Sequence, residues 1–263
     1  MKDKMNFNTL GQAILLYYQN QNGLFTDQLI SEKLTLSPEV IRKEIENRFH
    51  NSPEKLIAFL QPERIKKCIT RTKKQMSKKG KSENHIHIEL MNEFDLENLS
   101  ISYHLTETSL GPIIMASTYK GVCYIAFADN GAEAAIEELK KRFLKAVLKQ
   151  QSDDFQKPIV DFFNDNVSEV SKIRLHIKGT LFQLGVWKKL LEIPLGGLMS
   201  YSALAGNKKD SHAFGNAVGS NPVAMVIPCH RAVSASGEFG EYHWGKSRKA
   251  ALICLEAVKL SNK

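Results

Sequence analysis

The residues Val226-Ile-Pro-Cys-His-Arg-Ala-Val233 set a thiol beside an imidazole. A thiol attacks as the thiolate, and an unperturbed thiol of pKa ~8.5 is mostly protonated at neutral pH. A neighbouring imidazole can take that proton, directly or through one water. Adjacent side chains on an extended strand point to opposite faces. Cys229 and His230 therefore cooperate only where the backbone bends or a water bridges them. Pro228 fixes its own φ and helps to set such a bend. Taken alone, a Cys-His pair is more often a buried thiol beside a surface histidine. The flanks lift this pair above that reading. Upstream runs Gly215-Asn-Ala-Val-Gly-Ser-Asn-Pro222, downstream runs Ser236-Gly-Glu-Phe-Gly-Glu-Tyr242, and a later helix carries Lys249 and Glu256.

This ensemble, covering roughly residues 100–258, resembles the O6-alkylguanine-DNA alkyltransferases, whose hallmark is Pro-Cys-His-Arg after an Asn-Pro. The resemblance implies a role for each matching residue. Cys229 is the alkyl acceptor, His230 the base that deprotonates it through a water, and Glu256 the carboxylate that orients His230. Tyr201 donates to the guanine ring as it leaves. Tyr242 and Lys249 hold the base and the active-site loop, with Met225, Val226 and the 237–240 loop as pocket walls. Asn221 is the hinge between the DNA-reading helix and the Cys turn. Ser211, His212, Ala213 and Asn216 face DNA. Arg231 is placed on that DNA side too, more as a brace of the domain interface than as a substrate contact.

The implied partner is double-stranded DNA containing alkylated guanine, with O4-alkylthymine as a second lesion. The target nucleotide must leave the stack to be reached. The product is a thioether that no water is poised to hydrolyse, so each molecule acts once. No metal or organic cofactor is implied. Three departures from the family pattern bear on base flipping. His212 stands where the family has an intercalating Arg, the 201–212 segment is a few residues shorter, and His243-Trp244 replaces a Gly-Gly. Two other classes stay open: a non-enzymatic DNA-binding regulator that keeps the fold, and a turnover hydrolase using Cys229, His230 and Glu256.

Composition is compatible with this chemistry. The 263 residues suffice for two or three small domains, and 43% hydrophobic with 24% charged residues is a globular balance. No apolar run approaches the ~20 residues of a membrane span. The start, Met1-Lys-Asp-Lys-Met-Asn, leads into no signal-peptide core, which points to the cytosol; a monomer is expected. Four cysteines, Cys68, Cys123, Cys229 and Cys254, show no paired spacing, so neither a disulfide framework nor a zinc finger is expected. His85 and His87 read as exposed polar residues. The net charge of +8 favours an anionic partner, nucleic acid first. It is concentrated between residues 64 and 81, where nine Lys and Arg occur with no acid. That run reads equally as a solvated linker or as a segment that tracks phosphates.

The elements that must position these residues follow from periodicity and caps. Apolar residues Leu10, Ala13, Ile14, Tyr17 and Tyr18 predict a helix over 9–21. Thr26, Ser37-Pro38 and Ser52-Pro53 mark three further helix starts. This run is similar to the first half of an AraC-type DNA-binding domain, as in Ada-type bifunctional proteins, without their second helix-turn-helix unit or four-Cys zinc module. Residues 83–98 read as an acidic connector. Residues 99–106, 113–118, 122–127 and 173–177 read as strands, and residues 132–149 as one amphipathic helix with Ile136, Leu139, Phe143 and Val147 inward. Thr180 caps a helix with Phe182, Val186, Trp187, Leu190 and Leu191 on one face, and Trp187 is core. Short helices from Ser200 to Ala205 and from Ser211 to Gly219 form a helix-turn-helix candidate. The expected fold class is α+β and multidomain. A partial AraC-type helical module spans 1–70, and a basic then acidic linker 71–98. By resemblance, a small ribonuclease-H-like α/β domain follows over 99–177, and a mostly helical, winged-helix-like catalytic domain over 178–263.

Overall fold

The computed structural model describes residues 5–20, 27–78, 86–164, 173–207 and 209–261. In chain order the helices are α1 (Phe7–Gln19), α2 (Asp27–Leu34), α3 (Pro38–Phe49), α4 (Pro53–Phe59), α5 (Pro62–Lys78), α6 (Glu93–Glu97), α7 (Ala132–Arg142), α8 (Lys157–Phe163), α9 (Leu181–Leu191), α10 (Tyr201–Ala205), α11 (Ser211–Gly219) and α12 (Lys246–Ser261). The strands are β1 (His87–Leu90), β2 (Ser100–Thr106), β3 (Ile113–Ser117), β4 (Val122–Phe127), β5 (Val147–Gln150), β6 (Arg174–Ile177), β7 (Met199–Ser200) and β8 (Ala232–Val233). No described helix is long and apolar enough to cross a membrane. The fold is mixed α and β. The chain forms two compact units, one of residues 1–80, 193–219 and 230–263, the other of residues 81–192 and 220–229. The expected boundaries at 70, 98 and 177 cut across them.

In the first unit, α12 is the hub. The α1 stripe of Leu10, Ala13, Ile14 and Tyr17 is buried, as its spacing predicts. Its backbone lies so close to α12 that a Cβ on Gly11 would stand 2.6 Å from the Ser247 carbonyl oxygen. The Cys254 thiol of α12 donates to the Leu56 carbonyl of α4 at 3.4 Å. Tyr18 meets Phe239 edge-on, with ring centroids 5.4 Å apart. Helices α1 and α4 thus pack against α12, within one compact unit with it. Ser37 caps α3 by accepting from the Val40 N–H, whereas Ser52 makes no side-chain cap bond. The expected linker from residue 71 is instead the second half of α5. Ile65 and Thr72 bury one face of that helix while Arg64, Lys67, Arg71 and Lys74 remain exposed. Thr26, Lys79, Lys81 and His85 lie outside the described residues. Ser200 caps α10 by accepting from Ala203 N–H, and Gly206, at φ +86°, ends it. The α11 bounds match the expectation, with Phe214, Ala217 and Val218 buried.

The second unit holds a six-stranded sheet in the order β1-β6-β4-β3-β2-β5. The β2-β3-β4 meander is antiparallel, and the flanking pairs are parallel. Residues 83–98 are not a connector where described. His87–Leu90 pairs with β6, and Asn92 with Asp95 forms a capping box that opens α6. Residues 132–149 are not one helix either. The helix stops at Arg142, and Val147, expected inward, begins β5 with 61% exposure. The open edge of β2 explains the switch: Val147 N–H donates to Leu99 O at 2.8 Å, and Gln151 N–H to Tyr103 O at 2.9 Å. Those sheet bonds outweigh the helical periodicity of the sequence. Ala135 and Leu139 form the buried stripe of the shortened helix, and Phe143 is buried at its cap.

Thr180 and Gln183 form the capping box that starts α9. Val186, Trp187 and Leu190 are buried, but Phe182, expected inward, is 53% exposed because the buried stripe begins one turn later. Gly179 makes room for Trp187, since a Cβ there would lie 2.6 Å from the indole ring, while Gly185 has nothing within 4 Å. Gly179→Ala should therefore destabilise the protein by about 1–3 kcal/mol through overpacking. Gly185→Ala, in an open helix interior, should stabilise it by roughly 0.5–1 kcal/mol. Urea midpoints of the two variants check both signs.

Candidate active site

The thiol is held by a turn that the sheet anchors. Strand β6 pairs with β4 only at Val122↔Leu175, which leaves the rest of that β4 edge open. The Asn-Pro segment takes it: Ile125 N–H donates to Pro222 O at 2.9 Å, and Ala224 N–H to Ile125 O at 3.0 Å. The chain then folds through two three-residue turns. Val226 N–H reaches Ala224 O at 2.7 Å across Met225, which sits at φ +65°. Cys229 N–H reaches Ile227 O at 2.8 Å across Pro228, whose locked φ suits such a turn. A left-handed Met is strained by about 1–3 kcal/mol, and the surrounding bonds hold it.

Asn221 locks this turn from inside. Its Oδ1 accepts from Val223 N–H at 3.0 Å, and its Nδ2 donates to Ile227 O at 2.8 Å and to Cys229 Sγ at 3.0 Å. The Ile227 carbonyl can only accept, which fixes the amide orientation and leaves an N–H on the sulfur. Both Asn221 and Cys229 are buried. An N–H aimed at sulfur favours the thiolate over the thiol.

Residues Cys229–Arg231 form a single 3₁₀ turn. His230 is fully buried, with its Nε2 2.9 Å from Glu256 Oε1. Its Nδ1 is buried with no hydrogen-bond partner among the described residues. Glu256 also accepts from Arg231 through Nε and Nη2, at 2.9 Å each, and from Gly196 N–H at 2.9 Å. Burial alone would push the Glu256 carboxyl up, but Arg231 and His230 outweigh it and hold the group well below the usual carboxylate range. Burial pushes the His230 imidazole below its ordinary value, against the opposing pull of Glu256. At neutral pH the ring is therefore neutral. Its Nε2–H donates to the carboxylate, and Nδ1 is left as a proton acceptor.

Lys249 is a buried ammonium. It donates to Ala232 O at 2.7 Å, to Glu241 O at 3.2 Å and to the Tyr201 hydroxyl oxygen at 3.4 Å. A phenol oxygen that accepts from an ammonium is a stronger O–H donor. Tyr242 is half-buried and stacks edge-on against Trp244, with centroids 5.2 Å apart. On α11, His212, Ala213 and Asn216 share an exposed face, with Ser211 half-exposed beside it.

Arg231 is expected on the DNA side, more as a brace than as a substrate contact. Its guanidinium is spent on Glu256 and on the Ile193 carbonyl, at 2.6 Å through Nη1. The Gly196 N–H was not foreseen; the Gly-Gly after Pro194 reads in sequence only as a helix end. A separate cluster of Glu89, Asp95 and His176 brings metal-ligand atoms together. The ammonium of Lys120 already supplies a cation there, 2.8 Å from Glu89 and 3.2 Å from Asp95.

Residues 181–258 match the family model described as 6-O-methylguanine DNA methyltransferase, DNA binding domain. The bifunctional transcriptional activator/DNA repair enzyme Ada of Escherichia coli is 36% identical over 61% of this chain and 47% of its own length. The chain thus spans about half the length of that relative, as it does of the Salmonella typhimurium regulatory protein ada. The inducible methylated-DNA–protein-cysteine methyltransferase of Bacillus subtilis is 33% identical over 54% of this chain and 82% of its own. Among solved structures, a Mycobacterium tuberculosis O6-methylguanine methyltransferase aligns at 28% identity over 60% of this chain and 93% of that one, with a TM-score of 0.46, too low to stand for a shared overall fold. A relative matched over most of its length places the chain in the family of methylated-DNA–protein-cysteine methyltransferases.

Proposed function

We propose that the protein repairs DNA by moving an alkyl group from O6 of guanine onto Cys229, once per molecule. The observation that carries this reading is the buried His230–Glu256 pair, whose remaining ring nitrogen lacks a partner, next in sequence to a thiol held by Asn221. The thiol proton passes to His230 Nδ1, directly or through a water. The sulfur attacks the alkyl carbon, the S–C bond forms and the C–O6 bond breaks. The departing guanine takes up a proton from the Tyr201 phenol, which Lys249 polarises. The exposed face of α11, with Ser211, His212, Ala213 and Asn216, lies against duplex DNA while the alkylated nucleotide is extruded. A regulator that merely kept the fold would not need to hold a charged carboxylate, a histidine and a buried lysine out of water.

Incubation with an oligonucleotide containing O6-methylguanine should add one methyl to the peptide that holds Cys229, and Cys229→Ala should abolish the gain. Intact and peptide mass spectrometry read this, and sustained turnover would point to the hydrolase instead.

His230→Ala or Glu256→Gln should slow single-turnover transfer by about 10²-fold or more, the usual worth of a general base. Because burial lowers the His230 pKa, the wild-type rate should hold as pH falls to about 6.5 and drop only below it. A rate that already falls above neutrality would mean that a different group titrates.

His212→Arg should speed repair of duplex O6-methylguanine several-fold and leave the reaction with free O6-benzylguanine unchanged. Arg is longer and always charged, so it fills the space of an extruded base better than the shorter His. Paired single-turnover rates on duplex and free base test this.

A further inference from the structure

Helix α5 lies outside the matched family segment, yet it reaches the catalytic carboxylate through one loop. Residues 194–198 run between α12 and α5. Gly196 sits at φ +66°, and a Cβ on it would stand 2.3 Å from Leu260 Cδ1 and 3.1 Å from the Glu256 carbonyl oxygen. On the other side, a Cβ on Gly197 would meet Thr72 Cγ2 at 3.0 Å. The two glycines are what allow a backbone to thread this gap.

The polar atoms of the loop are divided between the two helices. Gly196 N–H donates to Glu256 Oε2 at 2.9 Å, while its carbonyl accepts from the Cys68 thiol at 3.5 Å. The Leu198 N–H donates to Thr72 Oγ1 at 3.2 Å. A Thr inside a helix commonly returns its hydroxyl to its own backbone. Thr70 does so, to the Lys66 carbonyl at 3.0 Å. Thr72, fully buried, instead receives the loop. Beyond Leu198 the chain enters β7, which pairs with β8 directly after the Cys-His-Arg turn and leads into Tyr201.

We propose that Thr72, seconded by Cys68, is a positioning residue for alkyl transfer: α5 fixes the 196–198 loop so that the Gly196 N–H holds Glu256 in the rotamer that orients His230. The proposal rests on the transfer reading above. It gives the N-terminal helices an intramolecular task, since a loop released from α5 leaves Oε2 of Glu256 with Arg231 alone. The His230–Oε1 bond then loses the constraint that aims it.

The test uses the full chain with Thr72→Val, which keeps shape and removes the hydroxyl, and Thr72→Ser, which restores it. Single-turnover reaction with free O6-benzylguanine isolates the chemistry from base extrusion. Thr72→Val should be about tenfold slower, less than the ~10²-fold expected for loss of the base itself. It should also displace the acid limb of the pH–rate profile while leaving affinity for undamaged duplex unchanged. Thr72→Ser should return both rate and profile. A Thr72→Val protein that is folded and matches wild type in rate and profile overturns the proposal. If Thr72→Val does not fold, Cys68→Ala removes the other α5 bond to the loop, and the same comparison decides, an unchanged rate and profile again overturning it. If wild type never alkylates Cys229, the transfer reading fails by itself. The pH dependence of Cys229 labelling by iodoacetamide then supplies the comparison of wild type and variants.

Discussion

A carboxylate taken out of water must be met by donors on all its lone pairs or it will not stay charged. Glu256 is met on four sides, by His230, by two nitrogens of Arg231 and by the Gly196 backbone. Each partner brings a piece of the chain with it. His230 and Arg231 carry the Cys turn, Gly196 carries the lead into β7 and Tyr201, and α12 carries Lys249 two turns away on the same face. The packing around α12 is organised by the need to satisfy one buried negative charge. The same charge keeps the imidazole correctly protonated, because it binds Nε2–H and leaves the opposite nitrogen basic.

The thiol depends on a different device. Asn221 uses both ends of its amide, one to pin Val223 and the other to span Ile227 and the sulfur. A left-handed Met225 and a proline-centred turn are needed to bring these atoms within reach. The turn is in turn secured to the edge of β4, so the geometry of the thiol traces back to a sheet whose central strands are buried on both faces.

The candidate site residues and the local caps were legible in the sequence. Cys229 and His230 stand out by residue type, Glu256 only through the family resemblance, and Thr180 as a helix start, where the structure adds Gln183 to complete a capping box. What stayed hidden depends on partners far along the chain. Residues 147–150 turn from helix to strand because β2 offers a free edge. Residues 87–90 turn from connector to strand because β6 does. Arg231 reads in sequence as a brace, and the structure shows the buried carboxylate that it braces. The N-terminal helices carry the spacing of a freestanding module, and periodicity says only that one face is apolar, not what will cover it.

That covering has a historical consequence. Nine of the sixteen residues of α12 are buried, around most of its circumference. On one side they serve Lys249 and Glu256; on another, Gly11 and Leu56 press against them. Once the back of such a helix has drifted to suit an added neighbour, each later apolar substitution there makes the neighbour harder to lose. The arrangement works as a ratchet: small changes accumulated beneath the N-terminal helices tie their folding and that of α12 ever more closely together.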